Sequence, residues 1–205
     1  FRLTERNYAT VVTDPFDHKT VGYDALKLKA ELVTISHDAP GHNHSDAVKG
    51  ATHVLTGAGE FEIGGVFITA VQTAGGGKKN KDKVRNTLYV FDYDGITVAH
   101  LGDLAEVPTQ SEVEALGTVN VLLIPVGGGS SLNAAKAAEV VSLMEPNLVV
   151  PMHYSTPAAK ISLDSLNKFL KEMGLGKIDA QPSLKVTRSG LPEETKVIVL
   201  DYQQG

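Results

Sequence analysis

The chain has 205 residues, of which 42% are hydrophobic and 21% charged, values typical of a single globular domain spanning residues 1–205. It contains no cysteine, so disulfides and thiolate metal sites are excluded, and any metal must be held by His, Asp or Glu. The formal net charge of −5 argues against nucleic acid or an anionic membrane as the main partner.

The sequence shows no recognisable targeting or membrane segment. No apolar run reaches the roughly 20 residues that a membrane-spanning helix needs. We therefore expect a cytoplasmic protein without a membrane partner. The chain opens at Phe1, within a predicted β-hairpin and not at a methionine, and we expect that a native N-terminal strand is missing.

Short strands dominate the first half of the chain. Runs rich in β-branched residues predict strands at 8–13, 30–36 and 53–57. Segments 60–73 and 86–103 predict β-hairpins, with turns at Gly64–Gly65 and Asp94–Gly95. Segment 73–85 between them is glycine-rich and then basic, and we expect an exposed mobile loop. A nucleic-acid patch is less favoured, because no aromatic residues are interleaved with its lysines.

Strands and helices alternate in the second half of the chain. Amphipathic patterns predict helices at 111–117, 133–146 and 162–174. Apolar runs predict strands at 119–126, 147–152, 184–188 and 196–202. Ser162 is the expected N-cap of the last helix, and Gly174 lies near its expected C-cap. This order of elements predicts two packed sheets with helices outside them.

Four titratable residues directly follow or close predicted strands, namely Asp14, His37, Asp103 and His153. Loops at the carboxyl ends of strands converge over one edge of a sheet, so these side chains can meet although they are far apart in sequence. Histidine and carboxylate are ligands for zinc, iron or manganese, and a bound ion would supply a hydroxide nucleophile near neutral pH. The alternative for Asp14 is an ordinary turn residue.

Two further features are interpreted as structural. The segment “PVGGGSS” at 125–131 could receive an anion at a helix N-terminus, but we favour a plain turn with Ser131 near the helix cap. His18 and His53 are expected to be surface residues, and His100 a core histidine with its hydrogen bonds satisfied.

Seven motifs occur in the order and spacing of the metallo-β-lactamase superfamily: “TDPF”, “SHDAPGHN”, “GEFEIGGVFI”, “NTLYVFDYDG”, “HLGDL”, “LLIPVGG” and “PMHY”. The chain resembles in particular the short, single-domain metal-dependent hydrolases of the ascorbate-phosphate lactonase-like branch. The resemblance covers nearly the whole chain. It implies an α/β fold, an αββα four-layer sandwich with two mixed β-sheets flanked by helices.

The resemblance assigns candidate roles to five residues. Asp14 matches an aspartate that braces the ligand loop. His37 and His42 match the first and last histidines of the family's H-x-H-x-D-H loop. Asp103 matches the aspartate that bridges two metals, and His153 matches the final histidine ligand.

The sequence departs from the family pattern within the ligand loop. Ala39 stands in place of the middle histidine, Gly41 in place of the loop aspartate, and “AGGGKK” follows where a further histidine is expected. The remaining ligands suffice for one metal, because three protein ligands plus water are common at catalytic zinc. Asp38, His44 and Glu60 are nearby residues that could replace the missing ligands, although a solvated position is the simpler interpretation of each.

These features predict a metal-dependent hydrolase that acts on an ester, lactone or phosphoester of a small-molecule substrate. One ion, zinc or alternatively manganese or iron, would be held by His42, Asp103 and His153, with His37 as a weak fourth ligand or proton carrier. Asp103 and His37 are thus the candidate catalytic residues. The alternative is a non-catalytic binding or assembly module on a degenerate fold, and an iron-dependent redox enzyme ranks third. A homo-oligomer is compatible with the sequence.

Overall fold

Two mixed β-sheets pack face to face in the computed structural model, which describes residues 1–73 and 85–202. The expected mobile loop at 73–85 lies almost entirely outside the described residues. The first six strands are β1 (Arg2–Leu3), β2 (Val11–Thr13), β3 (Leu28–Lys29), β4 (Leu32–Thr34), β5 (Val48–Lys49) and β6 (His53–Leu55). The smaller sheet has the order β1-β2-β4-β6, and β3 pairs with β5 beside it.

The larger sheet has the order β13-β12-β11-β10-β9-β8-β7. Its strands are β7 (Gly59–Ile63), β8 (Val66–Gln72), β9 (Thr87–Asp92), β10 (Thr97–His100), β11 (Val121–Pro125), β12 (Leu148–Met152) and β13 (Lys196–Val197). The strands from β7 to β10 pair antiparallel, with short turns joining β7 to β8 and β9 to β10, whereas those from β10 to β13 pair parallel. Both predicted hairpins are therefore present.

Four α-helices accompany the sheets in the described part of the chain: α1 (His18–Val21), α2 (Gln110–Leu116), α3 (Ala134–Met144) and α4 (Leu166–Glu172). Thr109 and Glu112 form a reciprocal capping box at the start of α2, which satisfies backbone amides of its first turn. The Asn133 side chain accepts a hydrogen bond from the Lys136 amide and so caps α3. No described helix is long and apolar enough to cross a membrane.

The hydrophobic core has layers on both faces of the larger sheet. Val11 and Leu32 of the smaller sheet pack against Ile68, Tyr89 and Phe91 of the larger one, and all five side chains are buried. Their alternation along each strand places these residues on one face. Burying each large apolar side chain stabilises the fold by about 1.5–3 kcal/mol, and this burial holds the two sheets together.

The opposite face of the larger sheet is covered by helices. Leu122 and Ile124 of β11 pack there with Leu116 of α2, Val140 of α3 and Phe169 of α4. This arrangement leaves the carboxyl ends of β10 and β12 at one edge of the sandwich, which they share with the ends of β2 and β4.

Two local predictions were wrong. The last helix begins at Leu166 with Ser165 and not Ser162 as its N-cap, because the Asp164 amide and carbonyl hydrogen-bond to Gly127 and Ser155 instead. Ser131, by contrast, lies near the cap of α3 as expected, two residues before the N-cap Asn133.

Segment 184–188 forms no strand, and the predicted strand at 196–202 shortens to two residues. Leu184 and Val186 still pack against the larger sheet. The apolar residues of this segment therefore indicated burial and not pairing as a strand.

Candidate metal centre

The polar residues that follow four strands meet at one edge of the sandwich. Asp14 follows β2, and Asp103 and His153 follow β10 and β12, while His37 and His42 lie in the loop after β4. Two overlapping groups have ligand atoms within 4.8 Å of one another. These groups are Asp14–His37–His42 and His42–Asp103–His153. The fold therefore brings together the five residues to which the resemblance assigned roles at the site.

Asp14 braces the ligand loop. Its Oδ1 accepts a hydrogen bond from the Ser36 amide at 2.7 Å, and its Oδ2 accepts from the Ser36 hydroxyl at 2.5 Å and from His42 Nδ1 at 2.7 Å. Burial alone would raise the pKa of Asp14, but His100, His42 and the Ser36 hydroxyl outweigh it and lower the pKa to about 2. The Asp14 carboxylate is ionised at neutral pH, and the contact to His42 leaves that imidazole's Nε2 available.

The ligand loop itself is a tight turn. The His42 and Asn43 amides both donate to the Ala39 carbonyl, at 2.8 and 3.0 Å, so the positions of the missing ligands form the bend. The His37 and His42 rings lie side by side, with centroids 4.2 Å apart. Burial and the neighbouring His42 lower the pKa of His37, although Asp103 and Asp14 oppose this shift.

Two hydrogen bonds hold Asp103, and one of its carboxylate oxygens has no hydrogen-bond partner among the described residues. Its amide donates to Asn86 Oδ1 at 2.9 Å, and Ser130 donates to its Oδ2 at 2.6 Å. Its Oδ1 is buried, lies 3.4 Å from His153 Nδ1, and makes no hydrogen bond to any described residue. Gly102 adopts φ +56°, and a Cβ there would lie 2.3 Å from Ser36 Cβ, so this close approach requires glycine.

His153 enters the site from a left-handed backbone with φ +52°. Its Nδ1 lies 3.2 Å from the Ser131 hydroxyl, which donates to the Gly128 carbonyl at 3.0 Å. Burial lowers the pKa of His153, opposed by the Asp103 carboxylate, so the imidazole is neutral at physiological pH and able to bind a metal.

The His42–Asp103–His153 group fits one metal ion. Two imidazoles and a carboxylate are a common ligand set for zinc and for iron. A buried carboxylate oxygen without a hydrogen-bond partner is costly unless a cation neutralises it, and Asp103 Oδ1 is such an atom. In the second group, both Asp14 oxygens already accept hydrogen bonds from the protein. The donor set of the described residues therefore favours a single ion.

The proposed replacement ligands do not join the site. Asp38, His44 and Glu60 are exposed and belong to neither group. His53 is exposed as expected. His100 is a core residue, 2% exposed, but its Nδ1 has no partner among the described residues, so the expected satisfied histidine was wrong in that respect.

The residues that support the site were not predicted. Ser36, Asn86, Ser130 and Ser131 each hydrogen-bond to a site residue. Only Ser36 had a signal in the sequence, since it directly precedes His37 at the end of a strand.

Comparison with known proteins identifies the family. A sequence profile of the Beta-lactamase superfamily domain matches residues 1–153. The chain belongs to the beta-lactamase superfamily. It is 34% identical over 143 residues to a protein of Pyrococcus horikoshii named metal-dependent hydrolase, covering 68% of this chain and 63% of that protein. It thus spans less than two thirds of the length of this relative.

Two further similar proteins align over a larger share of this chain and of their own length. A Thermococcus onnurineus protein named metal-dependent hydrolase is 28% identical over 174 residues, with 71% of this chain and 77% of that protein covered. A crystal structure from Thermotoga maritima, described as a candidate Zn-dependent hydrolase of the metallo-beta-lactamase superfamily, is 32% identical. It superposes with a TM-score of 0.77 over 98% of this chain and 94% of that chain. The predicted family and αββα fold are confirmed.

Proposed function

We propose that this protein is a metal-dependent hydrolase with one ion at His42, Asp103 and His153. The observation that carries the proposal is the buried Asp103 Oδ1, which makes no hydrogen bond to the described residues and lies beside two imidazole ligand candidates. A bound ion would supply an activated water near neutral pH, suited to an ester, lactone or phosphoester of a small-molecule substrate.

Other residues of the site hold the ligands in place or take part in proton transfer. Ser130 donates to the Asp103 carboxylate, Asn86 accepts from the Asp103 backbone amide, and Asp14 holds His42. His37 is half-buried, has a lowered pKa and is not needed as one of the three ligands, which suits it to take up a proton in the reaction. Zinc is the proposed ion, with manganese or iron as alternatives.

Metal content tests this proposal directly. Elemental mass spectrometry should find about one ion per chain in the wild type and none in Asp103→Asn, which keeps the shape but removes the charge. Asp46→Asn is the matched control, because Asp46 has an exposed carboxylate outside both groups and its variant should keep the ion. Metal-dependent hydrolysis of a panel of small esters, lactones and phosphoesters should follow the same order.

A non-catalytic binding module is the second candidate function. It is favoured by Ala39 and Gly41, which stand where the resembled family has two further ligands. Two ions per chain would contradict the single-ion proposal. Absence of metal in the wild type, even after supplementation with Zn²⁺, Mn²⁺ or Fe²⁺, would favour the binding module.

A further inference from the structure

The hydrogen bonds around Asp14 determine where the protons lie on two imidazoles. The Asp14 carboxylate accepts hydrogen bonds from the Ser36 amide and hydroxyl, and a carboxylate has no hydrogen to donate. His42 Nδ1 at 2.7 Å from Asp14 Oδ2 must therefore carry its proton. Whenever His42 is neutral, this contact selects its Nδ1–H tautomer, which has a free lone pair on Nε2.

The same reasoning extends to His37 through a hydroxyl. A serine hydroxyl has one hydrogen, and Ser36 gives it to Asp14 Oδ2 at 2.5 Å. Ser36 Oγ also lies 3.0 Å from His37 Nδ1. Both contacts are hydrogen bonds only if Ser36 accepts from His37, so His37 Nδ1 also carries the proton.

We propose that Ser36 is a positioning residue that transmits the charge of Asp14 to His37 and fixes its tautomer, leaving Nε2 unprotonated towards the site. The inference rests on the proposed function, because an unprotonated Nε2 matters for binding a metal or accepting a proton. Ser36 is 1% exposed and has no contact with substrate in this role. The inference adds to the proposed site a role for Ser36, which lies outside both ligand groups.

His153 provides an internal reference. Ser131 gives its hydroxyl hydrogen to the Gly128 carbonyl and therefore accepts from His153 Nδ1. This contact involves neither Asp14 nor Ser36. A change at those two residues should leave the His153 tautomer unaltered.

Two substitutions give different expected patterns. Ser36→Ala removes the acceptor for His37 only, so His37 should shift towards the Nε2–H form that neutral histidine prefers in water, while His42 stays Nδ1–H. In Asp14→Asn the Ser36 amide keeps the amide oxygen at the Oδ1 position, so the NH₂ group takes the place of Oδ2. That group donates to His42 Nδ1 and to Ser36 Oγ, and both His37 and His42 should become Nε2–H.

The experiment is two-bond ¹H–¹⁵N NMR of the ¹⁵N-histidine-labelled, metal-free protein at a pH where the imidazoles are neutral. The expected wild-type result is Nδ1–H for His37, His42 and His153. Nε2–H at His37 in the wild type, or an unchanged His37 in a folded Ser36→Ala protein, would overturn the proposal. If Ser36→Ala does not fold, Asp14→Asn decides, because inversion at His42 without inversion at His37 would also overturn it.

A Zn²⁺ titration of the same samples separates this inference from the proposed function. Loss of the Nε2 lone pair at His42 should weaken Zn²⁺ binding of Asp14→Asn by about 100-fold, and Ser36→Ala by about tenfold. A wild type that shows the expected tautomers but binds none of Zn²⁺, Mn²⁺ and Fe²⁺ would refute the hydrolase proposal while the role of Ser36 stands. Unchanged Zn²⁺ affinity in both variants would contradict the link between tautomer and binding.

Discussion

The two halves of the candidate site are built differently. The loop half, Asp14 with residues 36–42, uses both oxygens of its carboxylate in hydrogen bonds to the protein. The strand half, Asp103 and His153, leaves a buried carboxylate oxygen without a partner among the described residues. A group with its hydrogen bonds satisfied keeps its shape without an ion, whereas a bare buried carboxylate oxygen favours a cation. The loop half therefore holds His42 in position, and the strand half supplies the other two proposed ligands.

The two halves touch at Ser36 and Gly102, and the largest expected effect comes from separating them. Gly102→Ala adds a Cβ 2.3 Å from Ser36 Cβ and 2.5 Å from Asn86 Oδ1, at φ +56°. Backbone strain and overpacking together should cost about 4 kcal/mol of unfolding free energy. Urea unfolding followed by circular dichroism measures it.

Gly174→Ala is the matched control for that experiment. Gly174 has φ +69° but open space around the added Cβ, so only the backbone strain of about 1 kcal/mol should appear. Equal losses in the two variants would mean that the contact between the halves contributes nothing.

The pH dependence of stability should also separate the halves. Burial lowers the pKa of His100, in the strand leading to Asp103, to about 4 from an ordinary value of 6.5. The unfolded chain then binds this proton first, so stability is full above pH 6.5 and falls by about 3 kcal/mol as the pH drops to 4. Asp14, with its pKa lowered to about 2 from 3.8, contributes stability above pH 3.8 that is lost between pH 4 and 2.

His100→Leu tests the assignment of the upper window. Whatever its stability at pH 8, this variant should lose about 3 kcal/mol less than the wild type between pH 6.5 and 4, measured by urea unfolding at each pH. If the unfolding free energy of the variant fell as steeply as that of the wild type between pH 6.5 and 4, a group other than His100 would titrate in this window.

The two halves should also differ in how much one of their histidines contributes to Zn²⁺ affinity. His153→Ala removes a proposed ligand and should weaken Zn²⁺ binding by about 100-fold or more, which is about 2.7 kcal/mol. His37→Ala should weaken it by about tenfold or less, since His37 lies outside the His42–Asp103–His153 group. Isothermal titration with Zn²⁺ compares them, and the reverse ranking would overturn the division between positioning and binding.

The smallest effect concerns the sheet contact beneath the loop half. The Tyr89 hydroxyl lies 3.1 Å from the carbonyls of both Ile35 and Leu55, linking the larger sheet to the smaller. Tyr89→Phe should cost about 1 kcal/mol of unfolding free energy.

Tyr93→Phe is its control. The Tyr93 hydroxyl is buried with no hydrogen bond to the rest of the described chain, so removing it should leave stability unchanged or slightly higher. A loss equal to that of Tyr89→Phe would mean that the hydrogen bonds to the smaller sheet are not what Tyr89 contributes.

Local signals allowed much of the fold to be predicted from the sequence. The hairpin turns at Gly64–Gly65 and Asp94–Gly95 depend on residues adjacent in the chain, and both are present. The start of α4 could not be predicted, because it depends on hydrogen bonds of Asp164 to Gly127 and Ser155. Those bonds exist only once distant strands have come together.

The candidate site shows the same limit. Chemically distinctive residues at strand ends, such as Asp103 and His153, could be singled out because few structural roles need them there. Asn86 and Ser130 are ordinary polar residues with no pattern in the sequence, and their importance depends on which carboxylate the fold places beside them. The ligand roles themselves stay predictions until metal content is measured.

The left-handed backbone at Asp14 and His153, with φ +43° and +52°, has a consequence for engineering. A non-glycine residue in this conformation costs on the order of 1 kcal/mol, and glycine would relieve much of that cost. Laboratory evolution for heat resistance alone would therefore reward glycine at His153, whereas at Asp14 the hydrogen bonds to Ser36 and His42 offset the strain. A thermostability screen of this protein should include metal retention as a second criterion, because the variants that tolerate the most heat would include some that have lost the site.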